Sequence, residues 1–330
     1  MSIFFYTETA FHHQGEMEFM KELILASSET GAQGVKFQVL LDYDSFISKK
    51  HSSYDIFKSG LFSFKEWQEI FNYTNSLGLE IVFMPICTQS FDLFNEMNSI
   101  IDYIDIHSVS WYDQEVLSLV KDTKKPIILG IGGRTSKEID EKIIYFENQL
   151  KVLMVGFQAF PSKIEDLRLG KIKWLQNKYT HLSIGYADHS SFEEEFCISS
   201  NEWAYFLGAR YFEKHITTKE GEDRWDYQSA ISKEKCEKLV NKLHFIDRKV
   251  MNYASNEFDV IEGKELIYRN RQKICVAKVD IPKGTIISNE HISMNMTDEI
   301  EKGEVDRTKI IGNQINKNME VGEAFINFTM

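Results

Sequence analysis

Two histidines stand at the ends of short apolar runs. His189 closes Gly185-Tyr186-Ala187-Asp188-His189-Ser190-Ser191, and His215 lies in Phe212-Glu213-Lys214-His215-Ile216-Thr217. If the runs are neighbouring strands of one sheet, both imidazoles emerge at the same edge, where a rigid scaffold can build a two-histidine metal site. The alternative is a pair of core histidines bonded to carbonyls. Lys36 and Gln38 are two residues apart in Gly34-Val35-Lys36-Phe37-Gln38-Val39, so they share one face of a strand. A lysine in a buried strand needs a partner. Either an ion pair with Glu8 or an anionic ligand, phosphate or carboxylate, would serve.

These residues need elements to place them. Apolar runs at Ile3–Thr7, Gly34–Val39, Glu80–Met84, Tyr103–Ile106, Pro126–Gly130, Lys151–Val155, Leu182–Gly185 and Arg210–Glu213 read as buried strands. Helical patterns alternate with them: Met17–Ser28, Phe64–Ser76, Ser90–Ser99, Gln114–Lys121, Ser136–Gln149, Glu165–Lys178, Phe192–Leu207 and Lys233–Met251. Ser63 and Glu66 have the spacing of a capping box. Eight strand–helix units over about 250 residues predict an α/β fold, a (β/α)8 TIM barrel. Catalytic groups of such a barrel sit at the C-terminal strand ends. That rule selects Glu8, Lys36, Gln38, Ser108, Gln158, Asp188, His189, Glu213, Lys214 and His215. The expected barrel spans 1–254, with a polar linker at 255–272 and a small, mostly β domain at 273–330.

Composition narrows the function classes. The 330 residues carry a net charge of −12 and no compensating basic block, which disfavours nucleic-acid binding. Cys87, Cys197, Cys236 and Cys275 are scattered with no CxxC pair, consistent with a reducing cytoplasm. The apolar N-terminus is too short for a membrane helix, so no membrane association is expected.

Several segments carry a family resemblance. Thr7-Glu8-Thr9-Ala10-Phe11-His12-His13-Gln14-Gly15, Gly31-Ala32-Gln33-Gly34-Val35-Lys36-Phe37-Gln38, Lys125-Pro126-Ile127-Ile128-Leu129, Glu165-Asp166-Leu167-Arg168-Leu169-Gly170, the Asp188-His189 run and Glu213-Lys214-His215-Ile216-Thr217 together resemble the sialic acid (N-acetylneuraminate) synthase family. Val279-Asp280-Ile281-Pro282-Lys283-Gly284 is similar to that family's C-terminal antifreeze-like (SAF) domain. The resemblance implies condensation of phosphoenolpyruvate with an N-acyl hexosamine-type sugar to a nine-carbon sugar acid. It implies His189 and His215 as ligands of Mn or Mg, and Glu8, Lys36 and Asp188 as catalytic residues. Lys36, Gln38, Ser108, Gln158, Lys214 and Asp226 would bind substrate. It also implies a homodimer in which each SAF domain reaches over the partner's barrel.

The chain departs from the family pattern on the phosphate side. Asp105 stands where the family has a lysine, and Gly130 and Ala187 replace serines. Two other readings therefore accompany the synthase: a metal-dependent sugar-acid lyase or epimerase that does not use phosphoenolpyruvate, and a catalytically degenerate barrel kept for sugar binding or assembly.

Overall fold

The computed structural model describes residues 3–156, 159–251, 263–269, 271–298 and 303–326. The chain divides into two compact units, Met1–Asn252 and Tyr253–Met330. The first is a closed barrel, as the alternating pattern predicts. Strands and helices follow in strict order: β1 (Phe4–Glu8), α1 (Met17–Glu29), β2 (Gly34–Val39), α2 (Phe64–Ser76), β3 (Glu80–Pro85), α3 (Ser90–Met97), β4 (Tyr103–Ile106), α4 (Gln114–Asp122), β5 (Ile127–Gly130), α5 (Ser136–Phe146), β6 (Leu150–Val155), α6 (Gly170–Lys178), β7 (Ser183–Asp188), α7 (Phe196–Phe206), β8 (Tyr211–Thr217) and α8 (Lys233–Phe245). Each strand pairs in parallel with the next, and β1 closes the ring on β8.

The strands are apolar along their length because both faces are covered. The inner face packs Phe4, Tyr6, Val82, Ile128, Val152 and Met154. The outer face joins a larger core with the helices, including Phe37, Phe71, Phe83 and Phe212. Gly185 is required here, because a Cβ on it would lie 2.1 Å from Met154 Sδ. The expected caps form at α2, where Ser63 and Glu66 make both bonds of a capping box.

Some boundaries differ from the sequence expectation. Helix α6 starts at Gly170 and not at Glu165, because Arg168 adopts a left-handed φ of 44° that no helix continues through. Helix α8 ends at Phe245 and gives way to a π-turn over Ile246–Val250. Strand β8 runs four residues beyond the expected Glu213, so Lys214 and His215 lie inside the sheet and alternate in direction. Among the described residues no helix is long and apolar enough to cross a membrane.

That alternation corrects two expectations. Asp188 and Lys214 point away from the barrel interior and pair with each other between the sheet and α7. Lys214 Nζ lies 3.2 Å from Asp188 Oδ2, and both side chains are fully buried. Asp188 also accepts from Asn201 Nδ2 at 2.9 Å and from the Ser190 backbone N–H at 2.9 Å. Lys214 donates to the Ser190 carbonyl at 2.8 Å. This pair fixes the wall that carries the strand ends, and neither residue lines the central cavity.

In the second unit, β9 (Ile274–Ala277) pairs antiparallel with β10 (Ile292–Asn295). Isolated bridges Val276↔Ala324, Ile281↔Met319 and Ile286↔Gln314 add to it. Cys275, Ile281, Ile287, Ile310, Met319 and Phe325 form its own core.

Two stability predictions follow from this packing. Replacing Lys214 by Met strands the Asp188 carboxylate and should cost about 3–5 kcal/mol. Adding Asp188→Asn should recover more than half of the loss, read from urea unfolding midpoints. The second concerns acid. Burial lowers the pKa of His13 to about 3 and of His12 to about 4, so the fold holds both neutral. An unfolded histidine titrates near 6.5. Their stabilisation is therefore complete above about pH 6.5 and is lost progressively as pH falls toward the folded values, where the unfolded state binds more protons. His13 stacks on Phe62 and accepts from the Gly15 N–H at 3.1 Å, with no acid paired to it among the described residues. His13→Phe should flatten the loss of stability between pH 6.5 and 4, measured as unfolding free energy against pH.

Candidate active site

Strand register sets the site. Glu8 on β1 is level with Lys36 on β2 on one side and with His215 on β8 on the other. Ala187 on β7 is level with Glu213 on β8, which puts His189, two residues on, beside the same strand end. The inward side chains of these strands line a cavity of about 390 Å³ at the C-terminal end of the barrel. Of the residues selected from sequence, Glu8, Lys36, Gln38, Ser108, His189, His215 and Asp226 all border it. Gln158 lies outside the described residues.

Lys36 is enclosed by carboxylates. Its Nζ lies 2.7 Å from Glu213 Oε2, 3.0 Å from Glu8 Oε2 and 3.4 Å from Asp105 Oδ2. The ion pair with Glu8 that the sequence left open therefore exists, within a four-residue cluster. Burial opposes the charge on Lys36, but Asp105, Glu213 and Glu8 hold its pKa above the usual lysine value. Burial likewise opposes ionisation of Glu8, yet Lys36 and His215 hold its carboxyl well below the usual range. Glu213 goes the other way: burial pushes it well above that range, against the pull of Lys36, and Asp105 also rises by burial. The cluster thus favours an ionised Glu8 and protons kept on its partners. Gln38 donates to Glu8 Oε1 at 2.8 Å and fixes its second oxygen.

The two imidazoles meet at this end, with ring centroids 5.0 Å apart. His215 Nε2 lies 3.1 Å from Glu8 Oε2, and His189 Nδ1 lies 3.2 Å from the Ala187 carbonyl. Burial lowers the pKa of His189 to about 3, with His215 adding to the effect, so its imidazole is neutral, the ligand form. Ligand atoms of Glu8, His189, Glu213 and His215 all fall within 4.8 Å of one another. His215 Nδ1 is buried without a hydrogen-bond partner among the described residues. An orphaned nitrogen beside neutral imidazole and carboxylate donors is the chemistry a divalent cation satisfies. The residues present fit one.

Asp226 borders the cavity from the segment after β8. It holds a left-handed φ of 62° and accepts from the Phe11 N–H at 3.3 Å, while burial raises its pKa. Ser108 borders it through the turn after β4, where its carbonyl accepts from Arg134.

Glu213, selected from sequence as a strand-end group but given no specific role there, also borders the cavity. The signal was present: Glu213 and His215 are two apart on one strand, so an inward His215 makes Glu213 inward and Lys214 outward. His107, another cavity residue, accepts from the Val109 N–H at 3.1 Å, and burial lowers its pKa to about 4.

Known proteins match this architecture along most of the chain. An uncharacterized protein of Methanocaldococcus jannaschii is 29% identical over 293 residues, covering 88% of this chain and 83% of that one. The N,N'-diacetyllegionaminic acid synthase of Legionella pneumophila is 23% identical over an alignment of 348 positions, covering 99% and 94%. The crystal structure of N-acetylneuraminic acid (sialic acid) synthetase from Leptospira borgpetersenii superposes with a TM-score of 0.73 at 22% identity, covering 82% of this chain and 92% of that one, and it shares the fold. The NeuB family model matches residues 23–253, most of the barrel that carries the cluster, and the chain belongs to the NeuB family.

Proposed function

We propose that this protein is a divalent-metal-dependent synthase that condenses phosphoenolpyruvate with an N-acyl hexosamine-type sugar to give a sialic-acid-like nine-carbon sugar acid. The observation that carries the reading is the convergence of Glu8, His189, Glu213 and His215 within 4.8 Å at the barrel's C-terminal end, in a chain of the NeuB family. The legionaminic acid synthase relative supports the class of product.

His189 and His215, with Glu8 or Glu213, would hold the cation, Mn or Mg in the simplest case. Bound there, it supplies Lewis-acid polarisation of a sugar aldehyde oxygen. Asp226, held by its left-handed backbone at the cavity wall, is the acceptor offered to sugar hydroxyls. Gln38 and Lys36 keep Glu8 fixed, so the ionised carboxylate stands beside the reacting carbons without reorganising. In the reaction the enol carbon bonds to the aldehyde carbon and the aldehyde oxygen takes a proton. Water then adds at the carbon bearing the phosphate ester, and phosphate leaves with its bridging oxygen. With Glu8 as the carboxylate ligand, Glu213, whose pKa is raised by burial, is the group placed to deliver a proton.

One observation favours a second reading. Asp105 sets a third carboxylate on Lys36, and a cavity with this charge is poorly suited to a phosphate dianion. A metal-dependent lyase or epimerase of sugar acids, working without phosphoenolpyruvate, meets that objection.

The two readings separate in one assay. With Mn²⁺, phosphoenolpyruvate and a panel of N-acyl hexosamines, the synthase releases inorganic phosphate in proportion to sugar consumed. Pyruvate release from a nine-carbon sugar acid, with no phosphate formed from phosphoenolpyruvate, establishes the lyase in its place. The metal site is tested separately. His189→Ala should lower Mn²⁺ affinity at least about 100-fold by calorimetry, while far-UV circular dichroism stays unchanged. Unaltered metal binding would remove the two-histidine site.

A further inference from the structure

The cavity floor has no cation to spare. Lys36 is the one lysine among its described lining residues, and three carboxylates already surround it. Nearby His107 is held neutral by burial, which lowers its pKa to about 4. An anionic substrate group must therefore be met elsewhere.

Arg134, in the loop between β5 and α5, is the cation in the right place. Its Nη2 donates at 3.0 Å to the carbonyl of Ser108, a residue that borders the main cavity. Arg134 itself lines a second cavity of about 220 Å³, together with Ser136 and Lys171. Gly132 borders both cavities. The guanidinium thus lines the second cavity and is tied by its bond to Ser108 to a residue of the first.

Its surroundings hold it still, and the acid paired with it, Glu138, is shared with other donors. The guanidinium carbon lies 4.6 Å from the Trp111 ring and 5.5 Å from the Tyr112 ring, which fixes its plane. Lys142 stacks on the same two rings and adds a second positive charge. The nearest acid, Glu138, is 3.7 Å from Nη1 and is already bonded by the Thr135 N–H, the Thr135 hydroxyl and the Tyr112 hydroxyl. The Arg134 Nε is buried with no hydrogen-bond partner among the described residues. A rigid guanidinium with an unpartnered Nε beside a cavity is what binds a phosphate or carboxylate.

We propose that Arg134 forms the anion subsite of this cavity, taking a phosphate or carboxylate group of the donor substrate at the rim between β4 and β5, in place of Lys36. The inference deepens the synthase reading, but its probe is inorganic phosphate, so the result needs no turnover. Full-length protein loaded with Mn²⁺ and the Arg134→Gln and Arg134→Lys variants are titrated calorimetrically with inorganic phosphate, phosphoenolpyruvate and pyruvate. Arg134→Gln should lose about 10- to 100-fold in affinity for phosphate and phosphoenolpyruvate, with Arg134→Lys recovering part of it. Mn²⁺ affinity and the thermal midpoint should stay at wild-type values. A loss confined to pyruvate assigns the subsite to a carboxylate. Equal phosphate, phosphoenolpyruvate and pyruvate binding by Arg134→Gln and wild type overturns the proposal, as does a wild type that binds none of them. Arg134-dependent phosphate binding without phosphate release on turnover sinks the synthase reading and leaves the subsite standing. Phosphate release with Arg134-independent binding does the reverse.

Discussion

The structure depends on one buried ammonium. Lys36 Nζ, on β2, holds Glu8, Glu213 and Asp105 within 3.4 Å of itself, and those three residues come from three other strands, β1, β8 and β4. Isolated in a barrel interior, any one of these charges would cost several kcal/mol. Together they are tolerable, provided that the ring is closed and in register. Closure through β1 and β8 brings Glu8 level with both Lys36 and His215. A slip of one residue on β1 would turn Glu8 outward and leave Lys36 with its partners unbalanced. The chemistry and the topology are thus one constraint: the site exists only in the correctly closed barrel, and the barrel interior is only tolerable with the site's charges paired.

Strand alternation then divides the motifs. In the β8 run Phe212-Glu213-Lys214-His215-Ile216-Thr217, the inward residues belong to the cavity, and Lys214 belongs to the wall with Asp188. A motif read as a string treats these residues as equals. The sheet does not. Asp188 and Lys214 pair with each other, buried behind the strand ends that carry His189 and His215.

Much of this was legible from the sequence. The eight strand–helix units, the limits of β2, the capping box at Ser63 and the inward pair Lys36 and Gln38 all follow from local periodicity and capping chemistry. What was not legible depends on contacts across the ring or on single backbone angles. Asp105 reads from sequence as a substitution, and only closure reveals that it lands on Lys36, 69 positions away in the chain. The late start of α6 depends on the φ of Arg168, for which no residue-type rule gave notice. Gln158 falls outside the described residues, and its place in the site stays a matter of resemblance.

The charges of the cavity are separated by position. Glu8, Asp105, Glu213 and Asp226 gather on the floor and on the wall after β8. Arg134 and Lys142, stacked on Trp111 and Tyr112, stand on the side of β4 and β5. Such an arrangement suits two ligands of opposite demand. The acidic side, with the His189 and His215 imidazoles beside it, accepts a cation and the hydroxyls of a sugar. The basic side accepts an anion. If the two were mixed, each would neutralise the other and neither ligand would gain. Asp105 makes the separation sharper, because it commits Lys36 to the acidic side and leaves the anion to be met at the rim. The departure from the pattern the chain resembles commits Lys36 to its carboxyl partners, and on the reading proposed above the anion falls to Arg134, which lines the neighbouring cavity.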